Sequence, residues 1–214
     1  MALGQDLLLA TGNPGKVAEI RPFLGPLGYR LHTLLDLGIS GPPEEAGTFL
    51  ENALLKARQG SVRSGMTTLG EDSGLCVQAL QGAPGVRSAR YAGEKADDAE
   101  NNARLLEVLR GVPAERRQAF YTCTMVMLSH PEDPDPLVVQ GIWWGTIAFV
   151  PHGQGGFGYD PLFIPAGGGG RTAAQWRAEE KACASHRGAA LSALVRRLGE
   201  RQPFPSPQPP SPMT

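Results

Sequence analysis

Apolar positions along the chain follow two rhythms, and each change of rhythm marks an element. Residues 7–10 are a short apolar run that ends at Thr11-Gly12-Asn13, the pattern of a strand running into a tight turn. Val17, Ile20, Phe23, Leu24 and Leu27 then recur at helical spacing up to Gly28. A short strand is expected near residues 29–34, followed by a Gly/Pro-rich loop through Gly47. A helix over 48–63 has Thr48 as N-cap, with Glu51 completing a capping box. Residues 66–69 and 75–80 read as two strands flanking Gly70-Glu71-Asp72-Ser73-Gly74. Residues 97–109 read as a helix, 118–128 and 137–150 as a hairpin, and 179–201 as the closing helix. Strands alternating with helices early, and a hairpin later, predict an α/β fold built on a mixed twisted sheet with flanking helices.

Composition narrows the picture. With 214 residues, 41% hydrophobic and 19% charged, the chain is long enough for one domain, or for two lobes sharing a core. The last dozen residues, PFPSPQPPSPMT, carry six prolines and no charge, so residues 203–214 are expected to form a disordered tail outside a domain of residues 1–202. Lys+Arg is 20 against Asp+Glu 21, which lacks the excess of a non-specific nucleic-acid binder; a polyanion must be met by a local cluster of cations. Cys76, Cys123 and Cys183 are far apart with no CxxC, which argues against a disulfide framework or structural zinc and for a reducing cytoplasm. No apolar window approaches the roughly 18 residues of a membrane span.

Four segments concentrate polar chemistry. Thr11-Gly12-Asn13-Pro14-Gly15-Lys16 hands a strand to a helix, where free N–H groups and the helix dipole suit a phosphate. It is not a Walker A loop, which would need Gly at Ala10 and Ser or Thr at Val17. Glu71-Asp72, between two expected strands, and Glu44-Glu45, in the Gly/Pro-rich loop, place pairs of carboxylates in loops, an oxygen-donor set that suits Mg²⁺. Gly153–Gly158 contains a GxGxxG match, but Asp160-Pro161 opens an extended run and not a helix, so the dinucleotide reading is set aside. Its glycines would instead let Phe157 and Asp160 approach a flat ligand. Lys181 and Ser185-His186-Arg187-Gly188 gather cations and an imidazole near one helix start, suited to phosphate and a carbonyl-bearing base. Each segment alone has a plain structural reading: a βα turn, a solvated acidic loop, a glycine-rich hairpin, and a surface histidine cap.

Together, TGNPGK, FLENALLKA, GEDSGLCVQALQGAPGVRSARYAG, GFGYDPLF and EEKACASHRGAAL, in this order, resemble the inosine triphosphate pyrophosphatase family from about Leu7 to Leu198. The resemblance implies a homodimeric, two-lobed α/β protein with the active-site cleft between its lobes. It also implies Mg²⁺-dependent hydrolysis of ITP, dITP and XTP to the monophosphate and pyrophosphate. By the same resemblance Thr11, Gly12, Asn13 and Lys16 form the phosphate turn, and Lys56 is a second phosphate-side lysine. Asp72 is assigned to metal and water, with Ser73 beside it on the substrate. Phe157, Gly158, Tyr159 and Asp160 hold the base, and Lys181, His186 and Arg187 complete the substrate contacts. Lys16 and Lys56 act with Asp72 in catalysis, and Asp72, Glu44 and Glu71 are the metal candidates. Glu71 stands where many members have Asp, and the acidic loop is one residue shorter than EETGxTF, with Glu44 favoured as its ligand. Competing readings are a Maf-like pyrophosphatase of other base preference, a non-catalytic nucleotide-binding module, and an interaction protein driven by the Pro-rich tail.

Overall fold

The computed structural model describes residues 4–43 and 45–200. The expected tail and Glu44 therefore lie outside the described residues. Six strands form one open mixed sheet in the order β2-β1-β3-β4-β5-β6. β1 (Asp6–Ala10) lies between β2 (Arg30–Thr33) and β3 (Thr67–Val77), parallel to both. β4 (Gln118–Leu128), β5 (Leu137–Ile147) and β6 (Phe163–Pro165) continue the sheet antiparallel. Neighbours on both edges of β1, with helices above and below, explain its unbroken apolar run.

The predicted element types hold, and three boundaries are corrected. Residues 67–77 form one strand and not two strands around a turn. β4 pairs with it from Thr68↔Leu128 to Val77↔Ala119, so the acidic residues sit inside a ladder. At Gly70 a Cβ would collide with Ala53 of α2 (Phe49–Ser64), so glycine here serves helix-on-strand approach and does not make a turn. The first helix starts earlier than expected: α1 spans Pro14–Leu24, with Pro14 in its first turn, where a missing N–H costs nothing.

The closing helix is broken. α4 (Ala178–Ala184) and α5 (His186–Glu200) are separated at Ser185, whose backbone is extended and whose Oγ accepts the Gly188 N–H as the N-cap of α5. The Thr48 cap is as expected, with Oγ1 accepting the Glu51 N–H at 3.2 Å, although Glu51 closes back onto the Thr48 hydroxyl at 2.8 Å. In α3 (Asp98–Val108) the box is complete between Asp97 and Glu100.

α1 and α5 cover one face of the sheet around Leu7, Leu9, Leu69, Met125 and Leu191. α2 packs on the other face, through Ala53 and Ala57 against Val126 and Leu128. A second large cluster, with Leu75, Leu105, Tyr121, Trp143, Tyr159 and Phe163, forms around the far halves of the long strands. β1 stops at Ala10, opposite Gly70, while β3 runs on for seven more residues. β2 and β3 lie on opposite sides of β1, and a crevice opens beyond its carboxyl end, where parallel sheets bind ligands.

Candidate active site

The crevice is a cleft of about 600 Å³ reached by Thr11 to Asn13, Lys16, Lys56, Asp72, Ser73, Phe157 to Asp160, Lys181, His186 and Arg187. The β1–α1 turn, Asp72, the glycine-rich loop and the Lys181–Arg187 segment, up to 176 residues apart, thus meet at one place, and Glu45 is not among the residues that line it.

The turn after β1 is more closed than the sequence implies. Asn13 caps α1 with its Oδ1, taking the Gly15 and Lys16 N–H groups at 2.8 and 3.2 Å, while the Asn13 N–H goes to Thr11 Oγ1. Pro14 has no N–H to offer. Charge at this end is therefore delivered chiefly by Lys16, whose Nζ meets Glu71 Oε2 at 2.8 Å.

Adjacent residues of a strand face opposite sides, and Glu71 and Asp72 do so. Asp72 points to α2, where Lys56 Nζ donates to Oδ1 at 2.8 Å and Asn52 Nδ2 to Oδ2 at 3.1 Å. Lys56 also donates to the Glu71 carbonyl at 3.1 Å. Asn52 precedes Lys56 by one helical turn, so both sit on the same face of α2.

Glu71 points to α1 and α5, is 1% exposed, and is gripped by Lys16 and Arg187. Burial alone would raise its pKa, but the Arg187 and Lys16 charges outweigh this and hold it well below the usual carboxylate range. As placed, Glu71 orders two cations and does not share a ligand position with Asp72.

Arg187 is among the most buried side chains. It donates to Glu71 Oε1 at 2.9 Å and to Ser73 Oγ at 2.9 Å, and pairs with Glu19 of α1. Burial opposes its charge, but Glu71 and Glu19 keep it protonated. Glu19 also meets Lys181 at 2.9 Å, and Lys181 meets Asp160 Oδ2 at 2.6 Å. Burial raises the Asp160 pKa, with Lys181 opposing the shift.

The glycines before Phe157 work differently from the sequence reading. Gly156, at φ +73°, has no room for a Cβ because the Asp160 carboxylate fills that space, accepting the Phe157 N–H at 2.9 Å. The loop thus wraps its own buried acid. The Phe157 ring lies 4.7 Å from Lys181 Nζ and so close to the turn that a Cβ on Gly15 would sit 3.0 Å from its Cδ1. Tyr159 belongs to the second core cluster, its hydroxyl donating to Ser88 O at 2.8 Å.

His186 is not a surface cap. It is buried, its ring stacks on Tyr121 at 4.7 Å and 8°, and its Nδ1 has no hydrogen-bond partner among the described residues. Burial and then Arg187 push its pKa well below 6.5, so it is neutral.

Asn52, Glu19 and Tyr121 were not singled out from sequence. The helical spacings Asn52/Lys56 and Lys16/Glu19 were the signals available for two of them. Around the cleft, Lys16, Lys56, Lys181 and Arg187 pair with Glu19, Glu71, Asp72 and Asp160, and Asp98 adds a fifth carboxylate to the lining, so the cations are already offset. A polyphosphate entering this balanced set brings negative charge that the protein's cations do not fully offset.

Among the described residues no three His, Cys, Asp or Glu side chains are grouped to hold a metal. No helix of the described residues is long and apolar enough to cross a membrane.

Comparison with known proteins gives a consistent result. The family model described as Ham1 family matches residues 7–197. The chain is 49% identical over 195 residues to the dITP/XTP pyrophosphatase of Shigella flexneri, covering 91% of this chain and 98% of that protein. The solved HAM1 protein from Coxiella burnetii superposes with a TM-score of 0.85 at 39% identity, covering 92% of this chain and all of that one. For the Ham1 protein of Staphylococcus aureus the TM-score is 0.80 at 34% identity, with the same coverage.

Proposed function

Because the chain belongs to the Ham1 family, we propose that it is a nucleoside triphosphate pyrophosphatase that hydrolyses dITP, ITP and XTP to the monophosphate and pyrophosphate. The observation that carries this reading is the two-ended cleft. Lys16 stands at the β1–α1 turn and Lys56 on the face of α2 toward Asp72, Phe157, Lys181 and His186 stand at the other end, and the buried Asp72 lies among the lining residues.

In this reading the triphosphate lies over the turn, with Lys16 and Lys56 offsetting its charge. Asp72 is oriented by Asn52 and Lys56 and takes the proton of the water that attacks the α-phosphorus; the α–β bridging bond breaks and pyrophosphate leaves. We assign Mg²⁺ to Asp72, with Glu44 as the candidate second ligand; when bound, it neutralises phosphate charge. The balanced charge of the cleft supports this requirement.

The base is held against Phe157. A neutral His186 offers one ring N–H, whereas most Arg187 donors are already engaged by Glu71, Ser73 and Glu19. We therefore assign recognition of the 6-oxo group to His186 and nearby backbone donors before Arg187, which disfavours the 6-amino edge of adenine.

We further propose that the enzyme is a homodimer of two-lobed protomers acting in a reducing cytoplasm. The outward face of β5 supports the dimer: Val138, Ile142 and Trp144 are 43%, 43% and 59% exposed and carry no charge, with Phe120 against Trp144 at 4.8 Å. The three cysteines are unpaired.

Pyrophosphate release from dITP, XTP, ITP, GTP and ATP, with Mg²⁺ and then with excess chelator, tests the central claim. Turnover of the three deaminated nucleotides, lost on chelation and restored by Mg²⁺, is expected. Equal rates on ATP, or activity that survives exhaustive chelation, would overturn it.

A further inference from the structure

We propose that Asp98 and Asn102 of α3 are positioning residues that set the base-holding loop through the backbone of Gly158. The inference rests on the reading of Phe157 as the base platform. The Gly158 N–H donates to Asp98 Oδ2 at 2.6 Å, and the Gly158 carbonyl accepts from Asn102 Nδ2 at 2.8 Å. The two side chains are four residues apart, on one face of the helix, so one turn of α3 grips both polar backbone groups of the residue that follows Phe157.

That grip matters because of the backbone around it. Gly156 and Gly158 have φ of +73° and +64° and flank Phe157, and two such glycines leave a loop many conformations unless something selects one. Asp160 selects it from one side by accepting the Phe157 N–H. Asp98 and Asn102 select it from the other.

α3 is a firm support, with Leu105 and its C-cap residue Leu109 fully buried in the second core cluster. Its buried Asn101 also accepts the Ala92 N–H and donates to Ala89 O, next to Ser88, whose carbonyl holds the Tyr159 hydroxyl. The polar face of one helix thus holds both segments that wall this end of the cleft. Capping does not require Asp98, since Asp97 accepts the Glu100 N–H and completes the box with Glu100. The carboxylate of Asp98 is left to the loop.

The test compares Asp98→Ala, Asp98→Asn, Asn102→Ala, Asp97→Ala and Phe157→Ala in the full chain. Measurements are kcat and KM for dITP, the inhibition constant of inorganic pyrophosphate, and thermal stability. Asp98→Ala is expected to raise KM by about tenfold or more, the scale of one charge-assisted hydrogen bond, with kcat little changed. Pyrophosphate has no base, so its inhibition constant should stay at the wild-type value. Asp98→Asn keeps an acceptor oxygen and should recover most of the KM. Asn102→Ala should show the same split at smaller size, and it decides the matter if Asp98→Ala does not fold. Asp97→Ala removes the helix cap alone and should lower stability without moving KM.

An unchanged KM in Asp98→Ala and Asn102→Ala, or a parallel loss of stability and pyrophosphate affinity, would overturn the proposal. If Phe157→Ala also leaves KM unchanged, the base platform itself is misplaced. If Phe157→Ala raises KM while the α3 variants do not, only the positioning role falls.

Discussion

The buried pair between Lys56 and Asp72 lets a structural effect be separated from a chemical one. Their side chains are 7% and 4% exposed and meet at 2.8 Å. Asp72→Asn removes the countercharge and can turn an amide donor toward either Lys56 or Asn52. Breaking a buried ion pair from one side costs about 3–5 kcal/mol. The Glu71 carbonyl at 3.1 Å still accepts from Lys56, so the lower end, about 3 kcal/mol, is expected. Lys56→Met, which leaves the carboxylate with the Asn52 donor, should cost a similar amount. In Asp72→Asn/Lys56→Met neither buried charge remains, and the loss should fall short of the sum of the single losses by about 2 kcal/mol or more. Urea unfolding of the four proteins at neutral pH measures this coupling. Activity should behave differently. Asp72→Asn should lower kcat for dITP by roughly 10³-fold, the scale of a lost general base, and the double variant should recover none of it. Stability losses that add within about 0.5 kcal/mol would refute the energetic argument. A kcat for Asp72→Asn within tenfold of the wild type would remove Asp72 from the chemistry.

Two further outcomes follow from buried and exposed groups. Because burial holds the His186 pKa well below 6.5, the unfolded chain binds a proton in mild acid that the folded protein does not. This contribution to stability is complete above pH 6.5 and declines below it, at up to about 1.4 kcal/mol per pH unit. Urea midpoints at pH 7.5 and 5.5 should therefore fall less in His186→Gln than in the wild type, and equal falls would show that His186 titrates as an exposed group. Trp144→Glu should convert a dimer to a monomer in light scattering at micromolar concentration, whereas a wild-type chain that is already monomeric would refute the role given to the β5 face.

Much of this molecule is local and was legible without coordinates. Thr48 caps its helix and the apolar run before Thr11 is a strand, because caps and periodicity act over four residues or fewer. Motif order likewise identified the family and the segments that line the cleft. What a strand or helix does next to distant chain was not legible. Glycines at 70 and 74 around two acids look like a turn, and only full-length pairing with β4 makes residues 67–77 a strand, which then sends Glu71 and Asp72 to opposite faces and separate partners. A continuous helical pattern through 185 is broken because Ser185 caps a new helix, which lets His186 reach the sheet and stack on Tyr121. Arg187 finds Glu71 across 116 residues, and Gly158 finds Asp98 across 60. No local propensity encodes such contacts, since they form when buried charges and backbone groups need partners that only the folded chain brings within reach.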